Sequence, residues 1–72
     1  MQKFSGKELR RRREMSGKRL ELMAVELGRS RDSIASYEAG RRNPPLRVVA
    51  ELAANLGCEP GAFFTEEADD VA

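Results

Sequence analysis

The spacing of residues between Leu20 and Ile34 constrains this chain more than anything else in it. Leu20, Met23, Ala24 and Leu27 fall at i, i+3, i+4 and i+7, the apolar stripe of an amphipathic helix. Gly28 follows at once and suits a left-handed helix C-terminus. Ser30 then offers a side-chain oxygen to cap a new helix, so only Arg29 separates a stop signal from a start signal. Two short helices must therefore meet at a sharp turn. Ala24 is small enough to let them approach closely, and Ile34, one turn into the second helix, can pin it to the first.

The remaining pattern is also helical. A first segment runs from Ser5 to Met15, where Ser5 and Glu8 have the spacing of a capping box. Its apolar content is thin, with Phe4, Leu9 and Met15 around the consecutive Arg10, Arg11, Arg12 and Arg13. Successive helical positions turn by about 100°, so these arginines spread around the cylinder, although Arg10 and Arg13 share a face. The second segment is expected to begin near Ser16 to Arg19. The third runs from Ser30 to about Ala39, carries Ile34 and Tyr37 inward, and stops at Gly40. Asn43-Pro44-Pro45 forces an extended connection. Leu46 opens a fourth segment in which Val49, Leu52, Ala53 and Leu56 keep the helical period up to Gly57. A last short helical turn from Pro60 to Phe64 has proline near its start, where a missing N–H does no harm. Phe63 and Phe64 are half of the aromatic residues, so at least one should close the core. Nothing reads as a strand. The expectation is an all-α fold, a compact five-helix bundle over residues 1–64, with residues 65–72 as an acidic, frayed tail.

A chain of 72 residues makes one domain at most and buries only about 60% of its unfolded surface. Cys58 is the lone cysteine and there is no histidine, which excludes the usual zinc sites and leaves Cys58 as a small apolar filler. No glycine-rich phosphate loop, nucleophile–base pair or paired carboxylates appear, so the expectation is no enzyme and no cofactor. No apolar run approaches the roughly 20 residues of a membrane span, and no signal-peptide pattern opens the chain. The net charge of +1 conceals a division. Residues 1–47 hold all thirteen Lys and Arg and six acids, for +7, while residues 48–72 hold six acids and no base, for −6. One face of such a molecule suits a polyanion and another turns away from it.

Two short helices joined by a tight turn, on a basic half-chain, have the geometry of a helix-turn-helix, whose second helix enters the DNA major groove N-terminus first. From about Leu9 to Phe64 the sequence resembles the Xre family, also called Cro or phage-repressor-like helix-turn-helix domains. The resemblance is carried by Met23-Ala24-x-x-Leu27-Gly28, by Ser30-x-x-x-Ile34-x-x-Tyr37-Glu38-x-Gly40-Arg41-Arg42-Asn43-Pro44, and by Leu52-Ala53-x-x-Leu56-Gly57. Tyr37-Glu38-x-Gly40 followed by Asn43-Pro44 is its most diagnostic part.

The resemblance implies roles for individual residues. Arg31 and Asp32, with Ser36 one turn on, match the base-reading positions. Arginine can grip guanine O6 and N7 together, and aspartate can accept from cytosine N4. Asp32 could equally orient Arg31 or favour the helix N-terminus through the dipole. Gly40, Arg41, Arg42 and Asn43 match a loop that contacts phosphates through N–H groups, guanidinium and amide. Lys18, Arg19, Arg29 and Ser30 would extend that grip. Arg13 and Glu38 match a structural salt bridge. Leu20 stands where the family usually carries a phosphate-binding glutamine, and Arg12 and Lys18 are charged where it is apolar. Leu20 and Met15 are expected to fill the vacated space, with the second helix beginning early. Leu22 and Val25 are apolar where the family is polar, and are either a partner surface or added core.

The function implied is sequence-specific binding of double-stranded DNA by a cytoplasmic, nucleoid-associated transcriptional regulator of a prokaryote or phage. A repressor is expected, acting as a homodimer on a palindromic site with Leu56, Phe63 and Phe64 at the dimer surface. The alternative is a protein-interaction module of the same fold, such as an antitoxin or adaptor, whose protein partner makes DNA secondary. Fold alone does not separate them.

Overall fold

Ser5 and Ser30 start two of the helices in the same way. Each lies in an extended conformation and accepts a hydrogen bond on Oγ, Ser5 from the Glu8 N–H at 3.0 Å and Ser30 from the Ser33 N–H at 3.1 Å. The computed structural model describes residues 2–66. In chain order it contains a short strand β1 (Lys3–Phe4), helices α1 (Gly6–Met15), α2 (Leu20–Leu27), α3 (Arg31–Glu38) and α4 (Leu46–Leu56), a 3₁₀ turn (Pro60–Phe63) and a strand β2 (Phe64–Thr65). Gly28 takes the left-handed conformation at φ 67° and ends α2, so that α3 begins three residues later at a sharp angle.

The four α-helices enclose one core. Leu9 from α1, Met23 from α2, Ile34 from α3, Leu52 from α4 and Phe63 from the 3₁₀ turn are all fully buried, with Val48 and Val49 beside them. Burying each of the larger of these side chains stabilises the fold by about 1.5–3 kcal/mol. Leu20, Leu27 and Cys58 pack against this centre from its margin. The first helix lies against the third at backbone distance. A Cβ placed on Gly6 would stand 2.3 Å from the Tyr37 carbonyl oxygen and 2.5 Å from that of Glu38.

Several sequence expectations are corrected. The five-helix count fails, because the segment at Pro60 makes a 3₁₀ turn and Phe64 leaves it as a strand. β1 and β2 form an antiparallel pair with Phe4 opposite Phe64 and Lys3 opposite Thr65, so the fold is mostly rather than wholly helical. The Phe4 ring sits 5.8 Å from that of Phe63 and 5.9 Å from that of Phe64, and the Ser5 N–H donates to the Phe63 carbonyl. Thr65 therefore belongs to the folded part and not to a tail; residues 67–72 of that expected tail lie outside the described residues.

The second helix begins at Leu20 and not earlier, because Gly17 turns left-handed at φ 72° and Arg19 is extended. Met15 fills no space in the core and is 76% exposed, since α1 ends there and directs it outward. Leu22 and Val25, at 48% and 78% exposure, lie on the outer side of α2 and add nothing to the core, which Met23 and Ala24 already occupy. Phe63 is fully buried and unavailable to any dimer surface.

Candidate nucleic-acid interface

Helix α3 divides cleanly. Ile34 and Tyr37 are buried, and their burial fixes which way the rest of the helix looks. Arg31 and Asp32 then stand exposed at its N-terminus, with Ser36 half-buried behind them. Arg31 does not turn to its neighbour Asp32. Its Nε donates to Glu21 Oε2 on α2 at 3.0 Å, an exposed pair that crosses the turn between the two helices. Glu21 is held below the usual carboxylate range, first by a bond to its own backbone N–H and then by Arg31. That acid is the part of this arrangement the sequence reading missed, because the contact spans ten residues and two helices.

The loop after α3 is ordered from within. The N–H groups of Arg41 and Arg42 both donate to the Ser36 carbonyl, at 3.0 and 3.4 Å, and that of Gly40 donates to the Tyr37 carbonyl at 3.2 Å. These amides are engaged within the loop, which leaves its side chains as the groups free to meet a phosphate. Among the described residues the Arg41 guanidinium donates to the Ser36 hydroxyl at 3.5 Å, while that of Arg42 lies 5.5 Å from the centre of the Tyr37 ring. Asn43 is exposed, and Pro44 behind it is buried and anchors the loop.

Arg13 and Glu38 sit beneath this surface and contact each other through two hydrogen bonds of 2.6 and 3.1 Å. A third bond runs from Arg13 Nη1 to the Lys18 carbonyl at 2.9 Å. The Glu38 carboxylate raises the Arg13 pKa above its usual value, so the guanidinium stays charged. Above it, Arg10, Arg13, Arg31 and Arg41 line one open depression of about 420 Å³. Ala35 and Ala39 give it a low floor on the α3 side.

Two of the expected phosphate contacts lie elsewhere. Lys18 Nζ donates to Glu26 Oε1 at 2.8 Å and to Asn55 Oδ1 at 3.0 Å, and Arg29 Nη2 donates to Glu51 Oε1 at 2.9 Å. Lys18, in the turn before α2, bridges α2 and α4, Arg29 ties the turn after α2 to α4, and neither lines the arginine depression. Arg19 is exposed at the start of α2, and the Ser30 side chain is engaged in capping α3. Among the described residues no group of three or more His, Cys, Asp or Glu could hold a metal ion. No helix among them is long and apolar enough to cross a membrane.

Two helices crossing at Gly28, with the second presenting its N-terminus, define a helix-turn-helix domain. The chain belongs to the helix-turn-helix domain family, whose model matches residues 6–62. That family is consistent with the Xre-like resemblance drawn from the motifs. A solved structure described as the crystal structure of apo-HppE is similar with a TM-score of 0.78 and 25% identity. The likeness covers 93% of this chain, which spans 37% of the length of that one. No curated protein matches the chain.

Proposed function

We propose that this domain binds double-stranded DNA in a sequence-specific manner and regulates transcription, as a repressor of the Xre or Cro-like kind. Arg31, Asp32 and Ser36 read bases, and the loop of residues 40–43 contacts phosphates. The observation that carries this reading is the division of α3. Its buried Ile34 and Tyr37 leave Arg31 and Asp32 exposed, and Arg31 lines one depression with Arg41 of the exposed loop. A guanidinium so presented can take guanine bidentately, and the flanking cations supply the sequence-independent grip. Such domains bind as dimers to half-sites about 34 Å apart or a multiple of that. With Phe63 buried, Leu56 and Phe64 are the remaining members of the proposed dimer surface.

Selection of bound sites from a random duplex library tests the reading. A consensus is expected, and inverted symmetry within it supports the homodimer. Recovery of random sequence with no salt-dependent affinity overturns the proposal.

One observation favours the second reading, a protein-interaction module. Leu22 and Val25 are both exposed on the outer side of α2. Reversing the charge of Arg31 and Arg41 separates the two, since it abolishes DNA binding and leaves recognition through Leu22 and Val25 unchanged.

A further inference from the structure

Arg10 is the residue that neither the motifs nor the loop assigns to the interface, yet the fold sets it with Arg31 and Arg41. We infer that the depression between α1, α2 and α3 seats one phosphate of the DNA backbone, and that Arg10 supplies its contact from α1. This rests on the DNA-binding reading above and extends it to a helix outside the helix-turn-helix.

Four guanidinium groups line this depression, and Glu38 is the acid among its lining residues. That acid already neutralises Arg13, which lies at 11% side-chain exposure with two bonds to it. Three like charges therefore remain around one open space. Two of them are held by exposed carboxylates outside the lining. Arg10 bonds to Glu14 Oε2 at 3.0 Å, with 64% and 54% of the two side chains exposed, and Arg31 bonds to Glu21 with 56% and 63% exposed. Exposed pairs of this kind contribute little to stability, so an anion can draw Arg10 away from Glu14 at small cost. Among the described residues Arg41 makes a long contact, 3.5 Å, to the Ser36 hydroxyl. Leu20 forms an apolar edge and offers the anion no hydrogen bond, which leaves recognition to the guanidinium groups.

A phosphodiester suits this geometry, because its two non-bridging oxygens are splayed tetrahedrally and can accept from guanidinium groups on separate elements. The base-reading residue Arg31 borders the same depression, so the phosphate would fix the register in which α3 meets the groove.

The test compares Arg10→Gln with Arg11→Gln, an equal loss of charge on the same helix outside the depression. Binding to a selected duplex and to an unrelated duplex is followed by fluorescence anisotropy across a range of salt. Arg10→Gln is expected to weaken both duplexes several-fold and to make the slope of log K against log salt shallower by about one unit. Arg10→Lys keeps most of that slope, and Arg11→Gln changes it little. In NMR of the arginine Nε–H groups, the duplex is expected to shift Arg10 and Arg41, whereas inorganic phosphate at the same phosphate concentration does not. Equal shifts from inorganic phosphate would make this a free-anion site and overturn the assignment. If the wild type binds DNA and the Arg10 and Arg11 variants behave alike, the phosphate site is wrong and the DNA reading stands. If the wild type binds no DNA, both fall together.

Discussion

Arg13 and Glu38 hold each other across twenty-five residues of sequence, with Nε donating to Oε2 at 2.6 Å and Nη2 to Oε1 at 3.1 Å. Their side chains are 11% and 8% exposed, so neither charge is well hydrated without the other. Because Arg13 also bonds to the Lys18 carbonyl, one guanidinium fixes both the turn after α1 and the end of α3.

Removing one partner leaves the other buried and uncompensated, a change that costs about 3 kcal/mol or somewhat more in such settings. Glu38→Gln is expected to lose that much stability in urea denaturation. The double variant Arg13→Met, Glu38→Leu should lie closer to the wild type than the sum of the two single changes. Simple additivity would show that the two residues are not coupled.

Gly6 provides a second test of how α1 meets α3. A methyl group there would press on the Tyr37 and Glu38 carbonyl oxygens at 2.3 and 2.5 Å, and backbone atoms of a helix end yield poorly. Alanine is a better helix former than glycine, so local propensity alone predicts a gain of roughly 0.5–1 kcal/mol. Contact predicts the opposite, a loss of about 1–3 kcal/mol from overpacking. We expect the loss, read as a lowered melting temperature for Gly6→Ala.

The helices were legible because their signals are local. Ser5 and Ser30 as caps, Gly28 and Gly57 as left-handed ends, and the period of Val49, Leu52, Ala53 and Leu56 all act within a few residues. The β1–β2 pair was not legible, since two-residue strands carry no period and their partners are sixty residues apart. The same reason hid the destinations of Lys18 and Arg29. Spacing shows a cation near the turn, but not that Asn55 and Glu51 on α4 will face it. Spacing alone does not separate Met15 from Leu20 as core fillers; Met15 is exposed before Gly17 turns left-handed, and Leu20 packs on the core after it.

Glu21 bears on how α3 presents Arg31. The pair is more than half exposed on both sides, so Glu21→Ala should change stability little. Its effect is expected on recognition. Without that carboxylate Arg31 is freer to change rotamer, and discrimination at the base pair proposed for it should relax while affinity for unrelated duplexes rises through the lost negative charge. Binding to a panel of single-base operator variants checks both directions. Unchanged discrimination would mean that Glu21 does not position Arg31.

Glu8 predicts a pH dependence of folding. Its carboxylate accepts from Arg11 at 2.6 and 3.0 Å and from Arg12 at 2.8 Å, and the Arg11 bond above all holds its pKa below the ordinary value of 4.5. A carboxylate lowered in the folded state stabilises it above the unfolded value and loses that contribution as pH falls through the folded one. Stability should therefore decline as the pH drops below about 4.5, and Glu8→Gln should flatten that decline while lowering stability at neutral pH. Denaturant titrations at pH 7 and at successively lower pH values measure the difference.

Arg31 and Arg41 are expected to fail in different ways. The Arg41 and Arg42 amides hold the Ser36 carbonyl, so the loop keeps its shape when the Arg41 side chain is removed. Arg41→Ala then deletes a charge and little else. It should weaken every duplex alike and reduce the salt slope by about one unit. Arg31→Ala removes a group that a buried Ile34 and Tyr37 aim outward at the start of α3. Its loss should concentrate at one base pair, as about 1–3 kcal/mol of discrimination between the preferred base and its rivals. Measuring both variants on the same panel of duplexes separates the roles. If Arg31→Ala lowers affinity uniformly, as Arg41→Ala does, Arg31 holds phosphate and the bases are read from elsewhere on the helix.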